Sequence, residues 1–213
     1  MPEYKLYCFA QSGNSYKVAL YLNLIGADWE PVAVDFFAGE TRGAEYRANV
    51  NEMGEAPVLE HKGKKLTQSG VILTYLSDLT GKFKPQSEDE KLEALRWILF
   101  DNHKVTSFLA THRFFRNFLK DADPAVTEFL RGRAIANLKI VEQHLARQRF
   151  LAGDNPTIAD ISMLGYLYYP DEEHGFEIEK DFPAVHRWRE TFKAMPGWRH
   201  PYDLMPQPPS MTK

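Results

Sequence analysis

The sequence predicts a small α/β unit followed by an all-helical unit. Three observations carry this. Over roughly the first 80 residues, short apolar runs and helically spaced apolar residues follow one another in the order β-α-β-α-β-β-α. Lys82 to Glu90 (KFKPQSEDE) then turns charged and proline-punctuated, with no large aliphatic residue, and reads as a linker. Beyond it almost every apolar residue falls on helical spacing. The expected division is therefore residues 1–81, a linker at 82–90, and a helical part at 91–213.

The first element, Tyr4 to Phe9, is aromatic and apolar around a single Lys and reads as a buried strand. Gln11, Ser12, Gly13 and Asn14 break that pattern. From Ser15 on, Val18, Leu22 and Ile25 recur at helical spacing until Gly26. Glu30 to Val34 reads as a second strand, 36–43 as a loop and Ala44 to Val50 as a short helix. Pro57 to His61 and Lys64 to Thr67 are strands around the Lys62-Gly63 turn. Ser69 caps a helix from Gly70 to Leu79 with Ile72, Leu73 and Leu76 on one face.

In the second part, one long helix from Lys91 to about Leu119 carries Leu92, Leu95, Leu99, Val105 and Leu109. Pro124 starts another, with Val126, Leu130, Ala134, Leu138, Val141 and Leu145 as its buried stripe. Thr157-Ile158-Ala159-Asp160 is a capping-box-like start, which makes Asp160 structural. Pro183 opens a further helix to Met195, and the stretch from Pro201 is proline-rich and irregular.

Charge and composition exclude several function classes. Of 213 residues, 26 are basic and 29 acidic, for a net charge of -3, and they are mixed along the chain. No stretch concentrates Lys and Arg with interleaved aromatics, so nucleic acid is not an expected partner. The apolar runs are far short of a membrane span, and MPEYKLY lacks the pattern of a signal peptide, so no membrane association is expected. A lone cysteine, Cys8, excludes an internal disulfide framework and suits a reducing cytoplasm; inside its strand it reads as an inert thiol. The seven histidines form no ligand cluster, so no metal is expected.

The chemistry concentrates where the first strand gives way to its helix. A helix N-terminus carries unpaired N–H groups and partial positive charge, and so welcomes an anion. Ser12, Asn14 and Ser15 add hydroxyl and amide donors at that turn. Ser12 or Asn14 reads equally as an ordinary N-cap. Ser69 likewise reads as a cap or as a ligand to a carboxylate, roles that are compatible.

Four stretches together resemble the cytosolic glutathione transferase superfamily over nearly the whole chain, in its bacterial serine-type (theta/nu/beta-like) branch. They are Ser12 to Val18 (SGNSYKV), Asn51 to Leu59 (NEMGEAPVL), Leu66 to Ser69 (LTQS), and Leu151-Ala152-Gly153 with Asn155 to Asp160. The resemblance implies a thioredoxin-like domain that binds glutathione, a helical domain lining the second-substrate pocket, and a homodimer. It makes Ser12 the first and Asn14 the second donor to glutathione's thiolate, the two catalytic residues. It makes Pro57 a cis-proline that presents the backbone of Ala56 to the cysteinyl part of glutathione. It gives Gln68 and Ser69 the γ-glutamyl end, Gln68 holding the α-amino group without the charge that Glu supplies in many relatives. With Ser12 and Ser15 at the two ends of the C-x-x-C spacing, the chain cannot run a disulfide cycle, and the reactive sulfur arrives on the ligand.

Some positions depart from the resemblance. Glu52 stands where relatives often have proline. Glu55 stands where several classes place Lys or Arg toward the ligand's glycine carboxylate, leaving Arg42 or Lys17 as candidates. Asp101 matches the place of an acid that reaches glutathione across the dimer in some classes. His112 and Arg113, with Phe108 and Phe115, fall in the helix that borders the pocket in the family; the aromatics read equally as core. The implied function is transfer of glutathione to a small electrophile. Peroxidase, isomerase or dehalogenase chemistry on the same site, or a non-catalytic interaction module, are the alternatives.

Overall fold

The computed structural model describes residues 2–212. Strand β1 (Tyr4–Cys8) leads into α1 (Gly13–Leu24), and β2 (Trp29–Ala33) into the short α2 (Ala44–Asn49). A hairpin, β3 (Val58–His61) and β4 (Lys64–Thr67), precedes α3 (Ser69–Thr80). Then come α4 (Glu88–Phe100), α5 (Thr106–Asn117), α6 (Pro124–Leu145) and α7 (Ile158–Met163). Short α8 (Asp171–His174) and α9 (Ile178–Asp181) lead to α10 (Pro183–Lys193) and α11 (Pro201–Leu204). The chain divides into two compact units: one runs up to Lys82 and takes up the chain again from Met195, and the other is Phe83–Ala194.

The first unit is built on a mixed sheet of order β2-β1-β3-β4. β1 and β2 are parallel with α1 as their crossover, while β3 pairs antiparallel with both β1 and β4. Leu6 and Cys8 of β1, Val18 and Leu22 of α1, Leu59 of β3, and Ile72, Leu73 and Leu76 of α3 are all fully buried. The stretch after Met195 belongs to this unit: the Tyr16 hydroxyl donates to the Arg199 carbonyl at 2.8 Å and Ala10 N–H to the Pro206 carbonyl at 2.8 Å. This differs from the expected division at 91–213, because proline-rich chain carries no periodicity that says which core it covers. Part of it is helical, as α11.

In the second unit, α6 buries Leu130, Ala134, Leu138, Val141 and Leu145, whereas Val126, in its first turn, is exposed. Its Glu142 reaches across to α10 and accepts the N–H groups of Ala184 and Val185, each at 2.9 Å. A carboxylate from another helix thus does the work of an N-cap. Thr157 and Asp160 form a capping box at α7. The Asp160 carboxylate is fully buried and accepts from Leu151 N–H at 3.0 Å, Thr157 N–H at 2.8 Å and Trp188 Nε1–H at 3.0 Å. Its role is structural.

Several boundaries differ from the sequence reading. α4 begins inside the expected linker, at Glu88, because the Ser87 hydroxyl accepts Glu90 N–H at 3.1 Å and caps it. The expected helix from Lys91 to Leu119 is interrupted by a π-helical stretch, Asp101–Val105. There the Asp101 carboxylate accepts from Thr106 at 2.8 Å and from Ser162 of α7 at 2.6 Å. Ser69 does not cap α3: it is the first helical residue, and Gln68 precedes it at φ +65° with no side-chain cap bond. Leu92, Leu95 and Leu99 form an exposed stripe on α4, at 67%, 51% and 59% of full accessibility.

Candidate active site

The sheet register gathers three of the stretches singled out above. Tyr7 pairs with Val58, and Val58 with Thr67. That row is the last of both pairings: the chain enters β3 through Ala56 and Pro57 and leaves β4 through Gln68, which stands at φ +65°. Strands lie about 4.8 Å apart, so the end of β1, the approach to β3 and the start of α3 share one edge of the sheet. Ser12 follows β1 on that edge.

Ser12 is the N-cap of α1, 5% exposed, with its Oγ accepting Ser15 N–H at 3.1 Å. A hydroxyl has one donor and two lone pairs, so capping leaves its O–H free to donate. Asn14 Oδ1 and Ser15 Oγ are buried with no hydrogen-bond partner among the described residues. Most buried polar atoms are satisfied, so two orphans beside one helix N-terminus single the corner out. The amide of Asn14 presents either its oxygen or, turned over, its NH2. Cys8 is fully buried and desolvation pushes its thiol up to about 12, so it is inert.

On the facing segment, Ala56–Pro57 is a cis peptide bond. Ala56 is half-buried and Ser69 buried. Gln68 is exposed, and its Nε2 donates to Glu55 Oε2 at 2.9 Å.

Other candidates do not join this group. Asp101 is fully buried among its hydroxyl partners, so it reaches no ligand across a dimer. His112 is buried, with Nε2 at 2.7 Å from the His174 carbonyl. Arg113 is buried against Glu173 at 2.6 Å, its guanidinium 3.7 Å from the centre of the Tyr169 ring. Both are consumed in the helical core. Lys17 is fully buried, which leaves exposed Arg42 of the two cations considered for a glycine carboxylate. No group of three or more His, Cys, Asp and Glu among the described residues could hold a metal ion.

No local pattern signals the contacts that tie residues 206–210 to the first 35 residues. Gln11 Nε2 donates to Gln207 Oε1 at 2.5 Å, and Ser210 bonds Asp35 through N–H at 3.0 Å and hydroxyl at 2.5 Å. Pairs so distant in the chain leave no local pattern to read.

Residues 2–78 match the family model of the glutathione S-transferase N-terminal domain, and residues 123–191 that of the C-terminal domain. Glutathione S-transferase F14 of Arabidopsis thaliana is 30% identical over 95% of this chain and 87% of its own length. The chain belongs to the glutathione S-transferase family. The crystal structure of a possible glutathione S-transferase from Rhodopseudomonas palustris is 33% identical, with a TM-score of 0.85 over 94% of this chain and 98% of that one. Maleylacetoacetate isomerase of Rhizobium meliloti is 32% identical over 76% of this chain and 79% of its own. A thioredoxin-like unit with its mixed sheet and a helical second unit are the glutathione S-transferase fold.

Proposed function

We propose that this glutathione transferase, of the serine-type branch, holds the thiol of glutathione as an anion at the Ser12 corner for attack on a small electrophile. The observation that carries the reading is the cap of α1: Ser12 Oγ takes the Ser15 N–H and keeps its own proton for the ligand's sulfur. A free thiol has a pKa near ~8.5 and is a few per cent ionised at neutral pH. Lowering it by about 2 units takes roughly 2.7 kcal/mol. A hydroxyl donating to the anion contributes about 1.5–3 kcal/mol. The N-terminus of α1 adds about 0.3–1 kcal/mol. The sum suffices, so the step needs no general base: Ser12 donates and is not a nucleophile.

Asn14, with its amide turned so that the NH2 faces the corner, is the second donor to the same sulfur. The backbone of Ala56 before Pro57 pairs with the cysteinyl part, and Gln68 and Ser69 take the γ-glutamyl end. The exposed Leu92, Leu95 and Leu99 of α4 support a homodimer that covers them, and the lone buried cysteine supports a cytoplasmic location. No helix among the described residues is long and apolar enough to cross a membrane.

The test is turnover of glutathione with an activated aryl halide. The wild type is expected to accelerate conjugation and Ser12→Ala to lose roughly 10- to 100-fold, the rate equivalent of about 1.5–3 kcal/mol. Wild-type protein that neither binds glutathione nor accelerates conjugation supports an interaction module instead. The isomerase relative, at 32% identity, favours one second reading: glutathione-dependent cis–trans isomerisation of a maleyl substrate, its product separated by chromatography.

A further inference from the structure

Gln68 is neutral, yet the end of the ligand assigned to it carries an ammonium. The residue that answers that charge lies 13 positions earlier in the chain. Gln68 Nε2 donates to Glu55 Oε2 at 2.9 Å and lies 3.4 Å from Met53 Sδ. With its NH2 spent in that direction, the amide's Oε1 is left as an acceptor. Glu55 is exposed and makes no ion pair among the described residues, so its charge is not neutralised within the chain. Its main chain is fixed: the Glu55 carbonyl accepts from the Tyr46 hydroxyl at 3.1 Å and from Asn51 Nδ2 at 2.9 Å. Val58 pairs with Thr67, so the residues just before β3 and just after β4 leave the same end of the sheet, and the Gln68 bond holds Glu55 beside the start of α3.

We infer that Glu55, held by the Gln68 amide, is the counter-ion for the α-ammonium of glutathione and makes a free α-amino group a requirement of this site. This rests on the proposed glutathione site. A γ-glutamyl end bears an ammonium and a carboxylate on one carbon. The carboxylate goes to Ser69 at the N-terminus of α3, where an anion is favoured. The ammonium goes between Glu55 and Gln68 Oε1, as charge-assisted hydrogen bonds. Glu55, which has the wrong sign for a glycine carboxylate, therefore serves the other end of the tripeptide. Glutathione that is deaminated or acylated at this nitrogen is discriminated against, while changes at its glycine end are not read by Glu55.

Calorimetric titration of the full chain with glutathione and with deaminoglutathione, which lacks only the amino group, tests this. The wild type is expected to bind the deamino analogue roughly tenfold or more weakly, as loss of a hydrogen bond to a charged group implies. Glu55→Gln is expected to weaken glutathione by the same factor and to leave deaminoglutathione within about twofold. Glu55→Asp should fall between wild type and Glu55→Gln for glutathione alone. Equal binding of the two ligands by the wild type overturns the inference without use of any variant. So does a Glu55→Gln protein that loses both ligands alike or keeps both. Wild type that binds neither ligand overturns the site reading itself, and the inference with it.

Discussion

Two helix N-termini in this chain use the same capping chemistry and end differently. At α7, Thr157 and Asp160 close on each other, and the buried carboxylate has every approach filled by Leu151, Thr157 and Trp188. At α1, Ser12 caps Ser15, but Asn14 Oδ1 and Ser15 Oγ stay buried and unpartnered, with no acid in the first turn. The first is a closed structural joint. The second leaves the Ser15 hydroxyl, and the Asn14 amide once its NH2 is turned inward, unused beside a helix N-terminus, and that suits an anionic ligand. What separates an architectural cap from a catalytic one is whether the polar atoms around it are used up.

The contrast can be broken most severely at α7. Asp160→Ala strands three buried donors, and we predict a loss of roughly 3–5 kcal/mol in urea denaturation with the bound thiol's ionisation unchanged in protein that remains folded. Ser12→Ala should cost only about 1 kcal/mol of stability, the worth of a cap, yet raise the pKa of bound glutathione's thiol by about 1–2 units. The two N-termini should also differ in pH dependence. Burial pushes the Asp160 carboxyl up from 3.8 to about 6, so the folded state holds its proton more tightly than the unfolded chain. The proton-linked part of its contribution is therefore full below about 4 and lost as pH rises through about 6, while its hydrogen bonds remain; denaturation at a series of pH values should lose that slope in Asp160→Ala. Asn14→Ala should have the smallest effect on folding, within about 0.5 kcal/mol, since it removes no hydrogen bond. Its effect on the bound thiol should be smaller than that of Ser12→Ala; the reverse order would make Asn14 the principal donor.

Much of this was legible along the chain. Alternation and helical spacing set out β1 to β4 and α1 to α3 to within a residue or two, because local periodicity reports which face is buried, whereas α11 carries no such pattern. The same signal ran through Phe100 and Thr106 without a break, since a π-helical stretch changes hydrogen bonding and not hydropathy. The leucines of α4 were visible as a stripe, but a stripe does not say whether this chain or another covers it. At the site, Ser12, Pro57 and Ser69 sit in recognisable local patterns, whereas the Glu55–Gln68 bond and the grip of Pro206 and Gln207 on the turn are made by folding alone. Asp101 and His112 looked available in sequence and are enclosed in the structure, because a one-dimensional pattern of charge carries no information on depth.

The central claim is that the Ser12 corner stabilises a borrowed sulfur as an anion. Ultraviolet absorbance of the thiolate, followed against pH with glutathione bound to the full chain, tests it directly. The account predicts half-ionisation about 2 units below the free-thiol value of ~8.5 in wild type, and a return toward that value in Ser12→Ala. A wild-type midpoint at the free value, or a lowered midpoint that neither Ser12→Ala nor Asn14→Ala shifts, would contradict it.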